Sequence, residues 1–162
     1  MTIDNLFGPE RKPLRLKVIK PIYESIKISE AAAQYLDRTT PLSSSTLVAD
    51  MFSFLRHETK EHFVGLHLDS KNRLLCLEIV SVGSLNASIV HPREVYKSAL
   101  LSSAAAIVFV HNHPSGDPTP SREDIELTSR LKQASDLLGI RLLDHVVIGS
   151  GRHFSFADSG LL

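Results

Sequence analysis

The sequence predicts an α/β (α+β) domain, a mixed β-sheet flanked by helices. Three observations lead there. Some segments carry apolar residues at helical spacing, while others alternate or run apolar over strand lengths. These segments follow one another as helix, hairpin, strand, helix, strand, helix, strand, an order that packs helices on a sheet. Gly, Pro, Ser and Asn cluster between them as turns. With 162 residues the chain can bury one core of ordinary size.

Residues 1–44 read as an arm. Gly8, Pro9 and Pro13 leave 1–13 without a period, 14–20 (LRLKVIK) suit a short strand, and Ile26, Ala31, Ala32 and Leu36 give 23–37 a thin helical face. Pro41 and the serines after it end that pattern. The domain proper is expected over 45–162. Leu47, Val48, Met51 and Leu55 predict a helix from Ser45 to about His57. Residues 61–69 and 73–82 read as strands joined by the polar turn Ser70-Lys71-Asn72. A short strand over 84–90 follows. Pro92 suits the first position of a helix running to Ser102. The apolar run 104–110 predicts a strand covered on both faces. Ser121 is a good N-cap. Ile125, Leu127, Leu131, Ala134, Leu137 and Leu138 outline the face of the helix behind it, which Gly139 ends. Strands at 141–148 and 152–156 close the chain.

Charge and composition exclude several classes. Lys plus Arg and Asp plus Glu number 18 each, so no global field favours nucleic acid or an anionic membrane. Five basic residues fall between Glu10 and Lys20; a solvated strand face explains them as well as a nucleic-acid contact does. Cys76 is the one cysteine, which excludes an internal disulfide and reads as a small buried apolar residue. No apolar run reaches the ~20 residues of a membrane span, and the N-terminus lacks the order of a secretory signal. The expected compartment is the cytoplasm.

The chemistry concentrates in 106–124, AIVFVHNHPSGDPTPSRED. His111 and His113, two apart on a strand, point to the same side. Asp124 lies in the first turn of the next helix, where backbone N–H groups keep a carboxylate ionised. If the loop folds back, two imidazoles and one carboxylate meet, the ligand set of a catalytic zinc site with one position left for water. Gly116 and the prolines at 114, 118 and 120 would fix that loop. Ser121 three residues before Asp124 also resembles a capping box, so ligation and capping are expected to exclude each other in part. A hydrolase needs a base, and the residues alone leave Glu61, Glu78, Glu94 and Glu123 open, although Glu123 is expected to point away along the helix.

The spacing His-x-His, seven residues, Ser, two residues, Asp, together with HPRE at 91–94, HNHPSG at 111–116 and LLDHVVIG at 142–149, resembles the JAB/MPN (JAMM) metalloprotease domain in its bacterial RadC-type branch. The resemblance covers roughly 45–162. It implies a JAB1/MPN-like, cytidine deaminase-like core. It also implies zinc on His111, His113 and Asp124, Glu61 as the base, and Ser121 as the donor to the oxyanion. The activity implied is hydrolysis of a peptide or isopeptide bond in a protein or peptide substrate. Two other functions stay open: a non-catalytic MPN-type protein-binding module associated with DNA repair, and a metal-dependent nuclease. Longer RadC-type proteins carry a helix-hairpin-helix domain that is not expected within these 162 residues, so the DNA binding attributed to that domain is not carried over and direct DNA binding is weakly supported. A homo-oligomer is compatible with the sequence. His91 and Arg93 are expected to shape a groove or brace the sheet. Asp144 and His145 are expected to orient a ligand imidazole or to satisfy each other.

Overall fold

The computed structural model describes residues 22–25, 40–83 and 90–162. The strand expected over 14–20, most of the helix expected over 23–37 and most of the strand expected over 84–90 lie outside them. Among the described residues the order is α1 (Ser45–Met51), a 3₁₀ turn (Ser53–His57), β1 (Glu61–Leu68), β2 (Leu74–Gly83), α2 (Pro92–Leu101), β3 (Ala106–Asn112), α3 (Arg122–Leu138), β4 (Arg141–Ile148) and β5 (His153–Ser155). The strands form one mixed sheet in the order β2-β1-β3-β4-β5. β3 and β4 run parallel, and the other neighbours are antiparallel. The expected α/β sheet with flanking helices is present.

Strand alternation sorts the core into two layers. Val64, Leu66 and Leu68 of β1 and Val108 and Val110 of β3 face α1, meeting Val48, Met51, Phe52 and Leu55. Phe63 and, on β3, Ile107 and Phe109 face the other way, against Val95, Tyr96 and Ala99 of α2 and Leu127 and Leu131 of α3. Every residue of β3 is buried, as its unbroken apolar run predicts. Burying a large apolar side chain contributes about 1.5–3 kcal/mol, so this strand is held from both faces. Its parity puts His111 on the α3 side, with Ile107 and Phe109.

Two expectations need correction. The helix expected from 45 to 57 stops at Phe52, whose backbone leaves the helical region, and continues as the 3₁₀ turn. On α3, Leu127 and Leu131 are buried, but Ile125, Leu137 and Leu138 are exposed, Leu137 to 89 %. The buried stripe runs instead through Asp124, Leu127, Thr128, Leu131 and Ser135, the i, i+3, i+4 face centred on the sheet. Asp124 and Thr128 can occupy it because their polar atoms find partners there, Ser121 for one and His145 for the other.

Candidate metal centre

His111 is the penultimate residue of β3 and is fully buried. His113 follows the strand end, its N–H donating to the Ile148 carbonyl at 3.0 Å. The loop 114–120 then doubles back: Gly116 N–H donates to the His113 carbonyl at 2.9 Å, and Ser150 N–H to the Gly116 carbonyl at 2.8 Å. Gly116 needs its residue type, at φ +82°. Gly149 needs it for space, since a Cβ there would sit 2.5 Å from the Gly116 carbonyl oxygen and 2.6 Å from Pro118 Cδ. So packed, the loop returns Asp124 to the histidines.

Three donor groups meet. His111 Nε2 lies 3.0 Å from His113 Nε2 and 3.4 Å from Asp124 Oδ1, and His113 Nε2 lies 3.3 Å from Asp124 Oδ2. A tetrahedral ion with bonds of ~2.0–2.1 Å separates its ligand atoms by about 3.3 Å, so these spacings fit one cation. The proton inventory agrees. His113 Nδ1 faces the Asp117 carbonyl at 2.7 Å. A carbonyl only accepts, so Nδ1 carries the hydrogen and the neutral ring turns a bare Nε2 inward. Among the described residues, His111, His113 and Asp124 are the group that could hold a metal ion.

The titration shifts follow the same contacts. Burial pushes His111 down to about 4, so its ring is neutral at neutral pH. The hydrogen bond to Asp124 raises His113 despite partial burial. Burial alone would raise the Asp124 carboxyl, but the imidazoles of His113 and His111 and the Ser121 donors outweigh it and hold it well below the usual carboxylate range.

Capping and ligation do not exclude each other. Ser121 N–H and Oγ–H both donate to Asp124 Oδ2, at 2.7 and 2.6 Å, while Asp124 N–H donates to Ser121 Oγ at 3.1 Å. The capping box is complete, yet Oδ1 stays turned to His111. A carboxylate has two oxygens, and the helix start uses only one.

An open cleft of about 840 Å³ adjoins this group, lined by Thr59, Lys60, Glu61 and Gly83 on one side and by His113, Pro114, Ser115, Ser121, Glu123 and Asp124 on the other. Of the four candidate glutamates, two line it. Glu123 does so although it was expected to point away. Glu61 is the one whose charge contributes to raising His113. Glu78 is bonded to Ser98, and Glu94 pairs with Lys97 and Arg93. His91 caps α2, its Nδ1 accepting from Arg93 N–H at 3.1 Å; Arg93 and His91 do not line the cleft.

The expectation for Asp144 and His145 divides. His145 Nε2 is 2.7 Å from His111 Nδ1. Asp144 reaches no imidazole; it accepts from Ser155 Oγ, Ala157 N–H and the His145 backbone N–H, tying β5 and the turn after it to β4. Two residues carry weight that the sequence did not announce. Thr128 contacts His145 Nδ1 at 2.6 Å. Asn112, fully buried between the two histidines, accepts from His62 N–H at 2.8 Å and donates to the Lys60 carbonyl at 3.1 Å. It therefore grips the backbone on both sides of Glu61. The signal for Asn112 was its place inside His-x-His; the signal for Thr128 was its place one turn after Asp124.

A family model described as the RadC-like JAB domain matches residues 42–161. Curated relatives named UPF0758 protein are 56 % identical over 120 residues in Methanosarcina acetivorans, 55 % over 129 in Trichlorobacter lovleyi and 59 % over 107 in Geobacter sulfurreducens. These alignments cover 74 %, 77 % and 66 % of this chain but 52 %, 56 % and 47 % of the relatives, so the chain spans about half the length of the proteins it matches. No helix among the described residues is long and apolar enough to cross a membrane. From a buried strand ending in paired histidines to the capped aspartate that returns to them, the site has the frame that the family match indicates: the chain belongs to the RadC-like JAB domain family.

Proposed function

We propose that the protein is a zinc-dependent metallopeptidase-like hydrolase, acting on a peptide or isopeptide amide bond in a protein or peptide substrate. The observation that carries this reading is the meeting of three electron-rich donors, His111 Nε2, His113 Nε2 and Asp124 Oδ1, beside a cleft that His113 and Asp124 line together with Glu61. Two imidazoles and one carboxylate leave a tetrahedral ion one open position, and zinc is the ion that donor set suits best. The chemistry such an ion supplies when bound is polarisation of a carbonyl and acidification of a water towards a pKa of ~7.

The side chains do the rest. Glu61 accepts a proton from the attacking water and delivers it to the leaving amine nitrogen, as amide cleavage requires. Asn112 holds the backbone on either side of Glu61, so the base is set against the same strand that carries the histidines. The Ser121 hydroxyl turns from Asp124 Oδ2 to donate to the oxyanion. Its backbone N–H, 2.7 Å from Oδ2, keeps the carboxylate capped meanwhile. A donor of this kind is worth about 3 kcal/mol in the transition state.

The test is turnover of peptide and isopeptide libraries by the full chain with zinc and with chelator, beside Glu61→Gln. The expected result is chelator-sensitive cleavage, with Glu61→Gln losing about 10²–10⁴-fold while still binding one zinc. Zinc binding without amide turnover, and a biological effect untouched by Glu61→Gln, would support the protein-binding module instead. Metal-dependent nicking of plasmid DNA without amide turnover would support the nuclease.

A further inference from the structure

The hydrogen bonds behind His111 run in one direction only. The Thr128 hydroxyl lies 2.6 Å from the Asp124 backbone carbonyl and 2.6 Å from His145 Nδ1. A carbonyl cannot donate, so the single hydroxyl proton goes to it, and the Thr128 oxygen can only accept from His145. His145 Nδ1 therefore carries a hydrogen. The ring is fully buried, with Phe156 stacked on it at 5.0 Å and the edges of Phe63 and Phe109 against it. Among its described neighbours no carboxylate is hydrogen-bonded to the ring, and an imidazolium enclosed by aromatic rings without a counter-charge is costly, so the ring is neutral. Its Nε2 is then an acceptor, and the hydrogen bond at 2.7 Å must come from His111 Nδ1–H. His111 is left with a bare Nε2 facing His113 and Asp124.

We propose that His145 and Thr128 are positioning residues: a chain of donors running His111, His145, Thr128, Asp124 carbonyl that fixes the tautomer and tilt of His111 and ties it to the helix turn bearing the other ligand. The chain closes a ring, because Asp124 both offers its carboxylate to the site and receives the far end of the relay through its carbonyl. A ligand imidazole usually donates its second N–H to a carboxylate, a carbonyl or a water. Here a second imidazole lies between the ligand and a carbonyl, so no further negative charge is brought beside the donors. The inference rests on the proposed metal centre for its purpose, but the tautomers stand on the hydrogen bonds and on the enclosure of the His145 ring.

The experiment uses the full chain, with Thr128→Val to remove the hydroxyl at nearly constant shape and Thr128→Ser to restore it. In the metal-free protein, two-bond ¹⁵N–¹H spectra of the histidine rings are expected to show Nδ1–H for both His111 and His145. Thr128→Val is expected to release His145 into a mixture of tautomers and to weaken zinc binding, read by competition with a chromogenic chelator, by about tenfold or more. Thr128→Ser is expected to return both readings to those of the original chain. An Nε2–H signal for either ring in the original chain overturns the relay. So does a Thr128→Val protein with unchanged His145 signals and unchanged zinc affinity. Absence of any hydrolysis with the ring signals as expected overturns the hydrolase and supports the relay.

Discussion

His67 gives the most direct test of how burial sets chemistry in this fold. It lies on β1, 1 % exposed, with Nδ1 2.9 Å from Ser102 Oγ and 3.4 Å from Cys76 Sγ, and Nε2 3.4 Å from Ser98 Oγ. Burial pushes its pKa from 6.5 down to about 4. The folded state therefore binds the proton less well than the unfolded chain. Stability from this group is complete above pH 6.5 and is lost as pH falls through 6.5 towards 4, because the unfolded state takes up a proton that the folded state refuses. Integrating that difference from pH 7.5 to pH 5.0, at 1.36 kcal/mol per unit, gives a loss of about 2 kcal/mol. The assay is urea unfolding of the chelator-treated protein across that range beside His67→Gln, which removes the titration but keeps donors and acceptors for the serines. His111 and His145 also titrate in both proteins, so the quantity to read is the difference between the two. That difference is expected to shrink or reverse by about 2 kcal/mol between pH 7.5 and 5.0. Two curves that stay parallel over this range would refute the reasoning.

The remaining predictions concern the site. Zinc affinity is expected to rise with pH, approaching about tenfold per unit in the acid range, because His113, whose proton is held more tightly through its hydrogen bond to Asp124, must shed that proton to ligate; isothermal titration in two buffers of different ionisation enthalpy would show the released proton, and a pH-independent affinity would contradict this. Asn112→Ala is expected to destabilise the protein by about 2 kcal/mol for two lost buried hydrogen bonds. It should also speed amide exchange at His62, whose N–H now donates to Asn112 Oδ1. Turnover should fall further than zinc affinity, since the substitution loosens Glu61 and leaves the three donors in place; equal losses in both would argue against a role in placing the base.

What the sequence made legible was local. His111, His113 and Asp124 could be brought together on paper because strand parity, a short loop and a helix cap all act within a few residues of them. Their supports were legible only in part: His145 was read as a residue that could orient a ligand imidazole, whereas Asn112 and Thr128 were not singled out. Asn112 meets Lys60 across 52 positions, and His145 meets His111 across 34; only the pairing of β3 with β1 and β4 brings such residues together. Ile125, Leu137 and Leu138 were misread because apolar residues on α3 fit more than one stripe, and the stripe that won contains Thr128 and Asp124, whose polar atoms have partners. The residues alone left four glutamates open, and the cleft narrows them to Glu61 and Glu123. The two roles of Asp124 were set against each other because a residue was counted where two oxygens should have been.

The two histidines are held by different parts of the fold, and this follows from the topology. β3 and β4 are parallel, so the chain must cross over between them, and α3 is that crossover. A helix in such a unit starts at the carboxyl end of the strand before it, which is where sites gather in open sheets. The end of β3 and the start of α3 therefore share one edge whatever the loop between them does, and the loop decides only the last few ångströms. His111 takes its orientation from β4, through His145. His113 takes its orientation from the loop, through the Asp117 carbonyl, and the loop in turn leans on Gly149 and Ser150. One histidine is thus fixed by the sheet and the other by a surface segment packed against it. Substitutions in residues 114–120 should therefore disturb His113 and the cleft wall before they disturb His111, whose ring is held from β4.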